Sequence, residues 1–177
     1  MAGLEHLWAG WRSDYIESAT DAERGARGDR DACVFCRILA SSLDDEQRHL
    51  VWTGERCVAL LNAYPYTSGH LMVLPRRHVG ELEELEPDEA SELWSAVTDA
   101  VRAIKAAYTP GGVNIGANLG RAAGAGVPGH FHVHCLPRWN GDTNFMTSVA
   151  ETRVMPEALS VSWRKLTEAW PGGRPRG

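Results

Sequence analysis

The sequence predicts an α+β fold with a mainly antiparallel sheet of about five strands, one long helix and a C-terminal helix. The first observation is the order of elements, because strand-like runs lie before and after a single long amphipathic segment. The second is that the apolar runs are short and end at turn or strand-breaking residues, as at Thr53-Gly54 and Pro75. The third is a length of 177 residues with 44% hydrophobic and 23% charged residues, which suits one globular domain.

The long helix has clear start and stop signals. Pro87 is followed by two acidic residues, which is typical of a first helical turn. Apolar side chains then recur with a period of 3.6 as far as Tyr108, and Thr109-Pro110 ends the pattern. We therefore expect one continuous helix between Pro87 and Tyr108.

The remaining elements follow from apolar runs and turn residues. A Gly-rich loop is expected at 121–129, and a helix at 156–170 after Pro156. The predicted strands lie within residues 49–65 (split into a hairpin at Thr53-Gly54), 68–79, 112–120 and 130–139.

The chain divides into three predicted parts. Residues 1–31 form an N-terminal arm and a polar linker, residues 32–150 the folded domain, and residues 151–177 a helical C-terminal extension. Four tryptophans lie near the ends, where they either pack on the core or cover a partner subunit. These are Trp8, Trp11, Trp163 and Trp170.

Composition argues against several classes of protein. The formal net charge of −5 gives no reason to expect nucleic-acid binding. The first residues lack the basic and apolar regions of a signal peptide, and no stretch approaches a membrane span of about 20 apolar residues. We therefore expect a cytoplasmic protein without membrane or nucleic-acid partners. Its four cysteines are then expected to be thiols or metal ligands rather than disulfides.

Three histidines alternate in the last predicted strand, at His130, His132 and His134. Alternate residues of a strand share a face, so all three are expected to point the same way. The outer two are roughly 13 Å apart along a strand, whereas zinc–nitrogen bonds are about 2 Å long. One ion cannot hold all three without a bend, so at least one histidine has another role or none.

A Gly-rich segment leads into these histidines. The glycines of "NLGRAAGAGVPGH" allow backbone N–H groups to approach an anion without obstruction by side chains. Imidazoles and N–H donors on one rim suit a phosphoryl group. A poorly ordered hairpin loop is the alternative interpretation, which the neighbouring histidines disfavour.

These motifs resemble the histidine-triad (HIT) superfamily of nucleotidyl hydrolases and transferases. "LNAYPYTSGHLMVLPRRH", "NIGANLG" and "HFHVHCLPRWNGDTNF" occur in the order of its actinobacterial diadenosine-tetraphosphate phosphorylase-like branch, and "LWAGWRSDYI" resembles the N-terminal arm of that branch. The resemblance runs from about residue 4 to about residue 150. It implies a HIT-like fold, with residues 32–150 as the HIT domain.

The resemblance implies roles for individual residues. His132 would be the nucleophile that attacks the α-phosphorus and forms a nucleotidyl-imidazole intermediate, and its other nitrogen should donate to a backbone carbonyl. His134 would contact phosphate and leaving-group oxygens, and Asn118 the phosphate. Asn62 would bind the ribose hydroxyls. Nucleotide contacts are also implied for Gly124, Ala125 and Gly126, through their backbone N–H groups, and for Trp139, which is alternatively a core or interface residue.

The resemblance also implies a structural zinc site of the Cys2His2 type. Its ligands would be Cys33 and Cys36 of the C-x2-C pair with His78 and His130, which would remove His130 from catalysis. The chemistry itself needs no catalytic metal. Without the resemblance, the C-x2-C pair is interpreted as a redox pair or as two buried thiols. Cys57 and Cys135 have the apolar surroundings of core residues.

Two departures and one further feature bear on the expected chemistry. "AGVPG" lacks the Ser or Thr hydroxyl that many relatives carry before the first histidine, which leaves the acceptor of the second step open. The third triad residue is His134 rather than glutamine, which disfavours the related hexose-phosphate uridylyltransferases. Arg76 and Arg77 are expected either to attract a polyphosphate or to be solvated.

Three functions remain in competition. The first is cleavage of a dinucleoside polyphosphate, such as an adenine dinucleotide, with inorganic phosphate or water accepting the nucleotidyl group. The second is hydrolysis of a nucleoside phosphoramidate, and the third is non-catalytic nucleotide binding by a zinc-stabilised protein. The resemblance also implies a homodimer or a higher homo-oligomer.

Overall fold

A computed structural model describes residues 33–142 and 157–172 of the chain. The N-terminal arm and linker predicted at 1–31, with Trp8 and Trp11, lie outside these residues, as does the beginning of the C-terminal extension. The elements in chain order are α1 (Val34–Ala40), β1 (Leu50–Thr53), β2 (Cys57–Leu61), β3 (Leu71–Pro75), α2 (Pro87–Tyr108), β4 (Gly112–Gly116), β5 (Val133–Arg138) and α3 (Leu159–Ala169).

The five strands form one antiparallel sheet in the order β1-β2-β3-β5-β4. The predicted α+β fold is therefore confirmed, as are the hairpin at Thr53-Gly54 and the end of a buried strand at Pro75. Two predicted strands are shorter than expected. β4 ends at Gly116 rather than running on to 120, and β5 begins at Val133 because His130 and His132 precede the first strand pairing.

Helix α2 has the predicted bounds. Its first turn is closed by a capping box, in which Glu86 donates its backbone N–H to the carboxylate of Glu89. Its end is a left-handed residue, Thr109, whose N–H donates to the carbonyl of Lys105. The apolar stripe lies against the sheet, where Leu93 and Ile104 are fully buried.

The sheet is covered on both faces. On one face α2 and α3 enclose the larger core, which includes Cys57, Val133 and Cys135. On the other face α1 and Val127 enclose a smaller core around Phe35 and Met72. Since alternate residues of a strand face opposite sides, His134 belongs to the smaller side.

Helix α3 docks through its tryptophans and one carboxylate. The indole N–H of Trp163 donates to the carbonyl of Leu50 at 2.7 Å, and Trp170 stacks on Trp52 at 5.6 Å between ring centroids. These two tryptophans therefore pack on the core, which was one of the two expectations. The hydroxyl of Tyr108 donates to Glu157, which ties α3 to the end of α2.

One glycine has a conformation that the fold requires. Gly69 lies at φ +78° just before β3, and a Cβ there would lie 2.5 Å from the ring of Tyr108. Both the positive φ and the close ring require glycine at this turn. Within residues 33–142 and 157–172, no helix combines the length and apolar character needed to cross a bilayer.

Candidate active site

The predicted nucleophile lies under helix α1, on the smaller side of the sheet. The ring of Phe35 packs 5.1 Å from the ring of His132, measured between centroids, and 5.4 Å from that of His130. His132 and His134 are neighbours, with centroids 4.9 Å apart. The alternation predicted from the sequence is therefore confirmed for His132 and His134, although His132 precedes the strand proper.

A backbone hydrogen bond selects one tautomer of His132. Its Nδ1 lies 2.8 Å from the carbonyl oxygen of His130, so Nδ1 carries the proton and donates it. The hydrogen bond expected from the sequence is therefore present. It leaves the lone pair on Nε2, which is the atom that can attack an electrophile.

A second chain of hydrogen bonds selects the opposite tautomer of His134. The backbone N–H of Tyr66 donates to Nδ1 of His70 at 3.2 Å, and the amide nitrogen of Asn62 lies 3.4 Å from the same atom. His70 must then carry its proton on Nε2, which lies 2.9 Å from Nδ1 of His134 and donates to it. His134 is left with its proton on Nε2. The two neighbouring histidines thus offer one lone pair and one N–H.

Both histidines are neutral near neutral pH. Burial lowers the pKa of His132, and burial together with the neighbouring His132 lowers the pKa of His134 to about 4. An unprotonated imidazole can act as a nucleophile, whereas an imidazolium cannot. Nε2 of His132 therefore does not have to lose a proton before its lone pair can react.

The Gly-rich loop, which precedes the triad in the chain, is folded on itself. It contains a short 3-10 turn at Arg121–Ala123, and the side chain of Asn118 donates to the carbonyl of Gly124 at 3.2 Å. The N–H groups of Gly124 and Ala125 donate to carbonyls within the loop. In this conformation the turn itself uses these two amides. The phosphate contact predicted for them stays a prediction.

The loop between β2 and β3 holds the residue predicted to bind ribose. The side-chain oxygen of Asn62 accepts the N–H of Tyr64 at 2.9 Å, which is an Asx turn, and its amide nitrogen lies near His70. Asn62 therefore shapes this loop. A contact with ribose hydroxyls would have to be made in addition to these bonds.

The nucleotide contact predicted at Trp139 lies away from the rings of His132 and His134. Trp139 packs 6.2 Å from Tyr108 between centroids, at the α2 end on the opposite side of the sheet. It follows His134 by five residues, or roughly 16 Å of extended chain. This position gives no support to the nucleotide-binding role predicted for Trp139, and it agrees with the alternative of a packed tryptophan.

Both arginines after β3 have protein partners. Arg76 donates to the carbonyls of Gly54 and Glu55, and Arg77 makes two hydrogen bonds to the carboxylate of Glu89. These contacts favour a structural role for the pair over attraction of a polyphosphate.

The four predicted metal ligands meet at one point. One ligand atom from each of Cys33, Cys36, His78 and His130 lies within 4.8 Å of the other three. Sulfur to imidazole Nδ1 distances are 3.4 Å for Cys33 and His130, 3.7 Å for Cys36 and His130, and 3.3 Å for Cys36 and His78. In a tetrahedral zinc site, bonds of about 2.3 and 2.0 Å put sulfur and nitrogen roughly 3.5 Å apart. The donor set and its spacing therefore fit zinc.

The surroundings of the cluster also fit a metal. Nε2 of His130 donates to the carbonyl of Pro75 at 2.8 Å, which leaves Nδ1 unprotonated and turned to the two sulfurs. Burial raises the pKa of the Cys33 thiol, so a thiolate there would require a nearby cation. His130 is also the residue whose carbonyl holds His132, so the cluster and the nucleophile share one backbone segment.

Two functional residues were not recognised in the sequence. His70 lies in the quoted "SGH" segment, but its role depends on the pairing of β3 with β5, in which Met72 lies opposite His134. Phe35 lies between Cys33 and Cys36, and its contact with His132 depends on where α1 docks. In the sequence, each of these residues is a single side chain within a recognised motif, and nothing local indicates its contact with a histidine of the triad.

Comparison with known proteins identifies the family of this chain. The family model of the HIT domain matches residues 44–141. An AP-4-A phosphorylase of Mycobacterium tuberculosis is 40% identical over 167 residues, which is 94% of this chain and 85% of that protein. Protein hit of Bacillus subtilis is 32% identical over 113 residues, or 64% of this chain and 75% of that protein.

Solved structures of similar proteins have the same fold. A zinc-bound histidine triad family protein from Mycobacterium smegmatis is 28% identical with a TM-score of 0.64, covering 79% of this chain and 94% of that chain. A histidine triad nucleotide-binding protein from Sulfolobus tokodaii is 30% identical with a TM-score of 0.63, covering 77% and 91%. With the alternating histidines, the shared sheet and the matched domain all in agreement, this chain belongs to the HIT family.

Proposed function

We propose that the protein cleaves dinucleoside polyphosphates by transferring a nucleotidyl group to Nε2 of His132. The observation that carries this proposal is the hydrogen bond from Nδ1 of His132 to the carbonyl of His130, which leaves Nε2 as a free nucleophile. The substrate class is supported by the 40% identity with a protein named AP-4-A phosphorylase.

In the first step, the lone pair of Nε2 attacks the α-phosphorus. A phosphorus–nitrogen bond forms, and the phosphorus–oxygen bond to the rest of the polyphosphate breaks. The departing group is a phosphate anion near neutral pH and needs no full proton transfer. The Nε2–H of His134 donates a hydrogen bond to this oxygen as negative charge develops on it.

In the second step, inorganic phosphate or water attacks the same phosphorus and the phosphorus–nitrogen bond breaks. The imidazole returns to its neutral form, and the acceptor loses a proton to solvent. During the lifetime of the intermediate, the His132 ring carries positive charge, which the carbonyl of His130 stabilises. Asn118 and the N–H of Gly126 are proposed to contact phosphate oxygens, with Asn62 on the ribose. Gly124 and Ala125 can contribute their amides only if the loop opens.

A structural zinc ion is proposed on Cys33, Cys36, His78 and His130. Four protein ligands close the coordination sphere, so the ion would organise the fold and leave no position for substrate. The ligands would join α1, the segment after β3 and the start of the histidine segment. No step of the reaction passes through the metal.

Replacement of His132 tests the mechanism. We expect His132→Ala to abolish turnover of diadenosine tetraphosphate while AMP binding, measured by calorimetry, stays within a few fold of the unmodified protein. An adenylate bound covalently to the unmodified protein in a quenched reaction, and absent from His132→Ala, would support the intermediate. Turnover by His132→Ala would overturn it.

The acceptor and the competing functions are separated in the same assay. Release of ADP only when phosphate is added would indicate phosphorolysis, whereas release of AMP without phosphate would indicate hydrolysis. Faster cleavage of an adenosine phosphoramidate would favour the phosphoramidate hydrolase. Tight AMP binding with no turnover of any of these compounds would favour the non-catalytic alternative.

We also propose that the protein forms a homodimer through strand β4. Within the described sheet β4 lies at the edge, and its Ile115 is 49% exposed. Ile115→Lys should therefore convert a dimer to a monomer in analytical ultracentrifugation. A cytoplasmic location stays a prediction.

A further inference from the structure

Two exposed tyrosines lie in the loop that leads to His70. Tyr64 is 86% exposed and Tyr66 is 49% exposed, and they flank Pro65 in the loop between β2 and β3. A solvent-exposed aromatic ring keeps a large apolar area in water that a ligand or a partner could cover. Exposure alone does not identify the ligand, but the ring of Tyr66 has a defined position beside His70 and His134.

The loop that carries these rings is firmly held. Asn62 accepts the N–H of Tyr64, and His70 accepts the N–H of Tyr66. The hydroxyl of Thr67 donates to the carbonyl of Pro137 at 3.3 Å. The tyrosine backbones are therefore fixed before any ligand arrives, which lowers the entropy cost of binding.

Tyr66 lies next to the histidine that faces the leaving group. Its ring centroid is 5.0 Å from that of His70 and 6.3 Å from that of His134. His134 is the residue whose N–H is proposed to meet the departing oxygen. A group attached to the departing polyphosphate therefore comes within reach of this loop.

We propose that Tyr66, together with Tyr64, forms a stacking platform for the second nucleobase of a dinucleoside polyphosphate, the base that leaves with the polyphosphate. The inference rests on the proposed function, because only a substrate with two nucleosides carries such a base. Stacking on an aromatic ring tolerates any base, since every base has a π-face. The platform selects for a second nucleoside and not for its identity.

The test compares two substrates that differ only in the second nucleoside. Diadenosine tetraphosphate has two adenosines, and adenosine 5′-tetraphosphate has one. The measured quantity is the ratio of kcat/KM for the first substrate to kcat/KM for the second. We expect Tyr66→Leu to lower this ratio about tenfold, in line with the loss of one stacked base, and Tyr64→Leu to lower it less. Tyr66→Phe keeps the ring and should keep the ratio.

The variants leave the catalytic hydrogen bonds in place. Tyr66 holds His70 through its backbone N–H, which any replacement except proline retains. Trp94, also 49% exposed but on α2, provides a matched control, and Trp94→Leu should leave the ratio unchanged. A proportional loss on both substrates in Tyr66→Leu would mean that the ring only supports the triad, and would overturn the proposal.

Two further outcomes have distinct meanings. If the unmodified protein turns over neither substrate, the proposed function is wrong, and reaction rates cannot test the platform. In that case, equal affinities of Tyr66→Leu and the unmodified protein for diadenosine tetraphosphate in calorimetry would still overturn the platform. If Tyr64→Leu or Tyr66→Leu changes the sedimentation coefficient and leaves the ratio unchanged, the rings cover a second copy of the chain, which also contradicts the proposal.

Discussion

His70 donates its Nε2–H to Nδ1 of His134 across a distance of 2.9 Å. His70 is fully buried, and its own Nδ1 accepts the N–H of Tyr66, so its proton must be on Nε2. The backbone of the β2–β3 loop thereby determines which nitrogen of His134 carries a proton. In the proposed mechanism His70 is a positioning residue, because it would act on the substrate through His134.

Replacement of His70 should therefore slow the reaction more than it weakens binding. We expect His70→Leu to lower kcat at least tenfold on diadenosine tetraphosphate with a smaller change in KM, because His134 loses the donor that fixes its tautomer. His70→Gln retains an N–H donor and should restore part of the lost kcat. Steady-state kinetics of both variants provide the measurement.

A purely structural role of His70 predicts a different pattern. His70→Leu and His70→Gln would then lose activity in proportion to their loss of thermal stability, and the glutamine would give no specific rescue. His49→Gln is the control for removal of a histidine. Among the described residues, the side chain of His49 forms one hydrogen bond, with the carbonyl of Glu46.

The low pKa of His134 predicts a loss of folding stability in acid. Its folded-state pKa is about 4, below the usual value of 6.5, because burial and the neighbouring His132 disfavour the charged ring. As the pH falls below about 6.5, the unfolded chain binds a proton that the folded chain does not, so unfolding becomes easier until about pH 4. The free energy of unfolding is thus unaffected by protonation of His134 above about pH 6.5 and falls as the pH is lowered from about 6.5 to about 4.

The comparison of His134→Gln with the unmodified protein isolates this contribution. Glutamine does not titrate. When the pH is lowered from about 7.5 to about 5, the urea concentration at the midpoint of unfolding should therefore fall less for the variant than for the unmodified protein. Equal losses in the two proteins would contradict the assignment of a depressed pKa to His134.

The proposed zinc site predicts a selective effect of cysteine replacement. We expect about one zinc ion per chain by elemental analysis, and much less in Cys36→Ser, which loses one of four ligands. Cys57→Ala removes a thiol that is buried in the larger core, away from the cluster, and should retain the zinc. Equal zinc contents in Cys36→Ser and the unmodified protein would falsify the ligand set.

Local patterns in the sequence were sufficient for the main elements of the fold. Helix α2 was predictable at both ends because Pro87 and Thr109-Pro110 act on their own neighbours. The common side of His132 and His134 followed from the alternation of side chains along extended chain. The four proposed metal ligands needed the family resemblance, since Cys33 and His130 are 97 residues apart in the chain.

The parts that were missed depend on contacts between distant segments. The role of His70 follows from the register of β3 against β5, and the contact of Phe35 from the docking of α1. The internal hydrogen bonds of Gly124 and Ala125 arise from the turn that the loop adopts, which glycine content alone does not specify. The packing of Trp139 against Tyr108 was one of its two interpretations, and it also depends on a contact between distant segments. The nucleotide contact of Trp139 stays a prediction.

The ion pair of Arg77 and Glu89 connects helix α2 to the segment that carries His78. Arg77 makes hydrogen bonds of 2.9 and 2.7 Å to the buried carboxylate of Glu89 and donates to the carbonyl of Glu84. Arg77 holds the pKa of Glu89 below its usual range. The residue that follows Arg77 is the proposed ligand His78, so the pair restrains one corner of the metal cluster.

Neutralising Glu89 should therefore weaken both folding and metal binding. We expect Glu89→Gln to lower the free energy of unfolding by about 1–3 kcal/mol, because a buried group loses charge-assisted hydrogen bonds. Zinc affinity, measured by competition with a chelator, should fall several fold because His78 is less restrained. Asp99→Asn breaks the more exposed pair with Arg102 and should change stability by less than about 1 kcal/mol with no change in zinc affinity. If Glu89→Gln loses stability but binds zinc as tightly as the unmodified protein, the pair supports the fold alone and does not position His78.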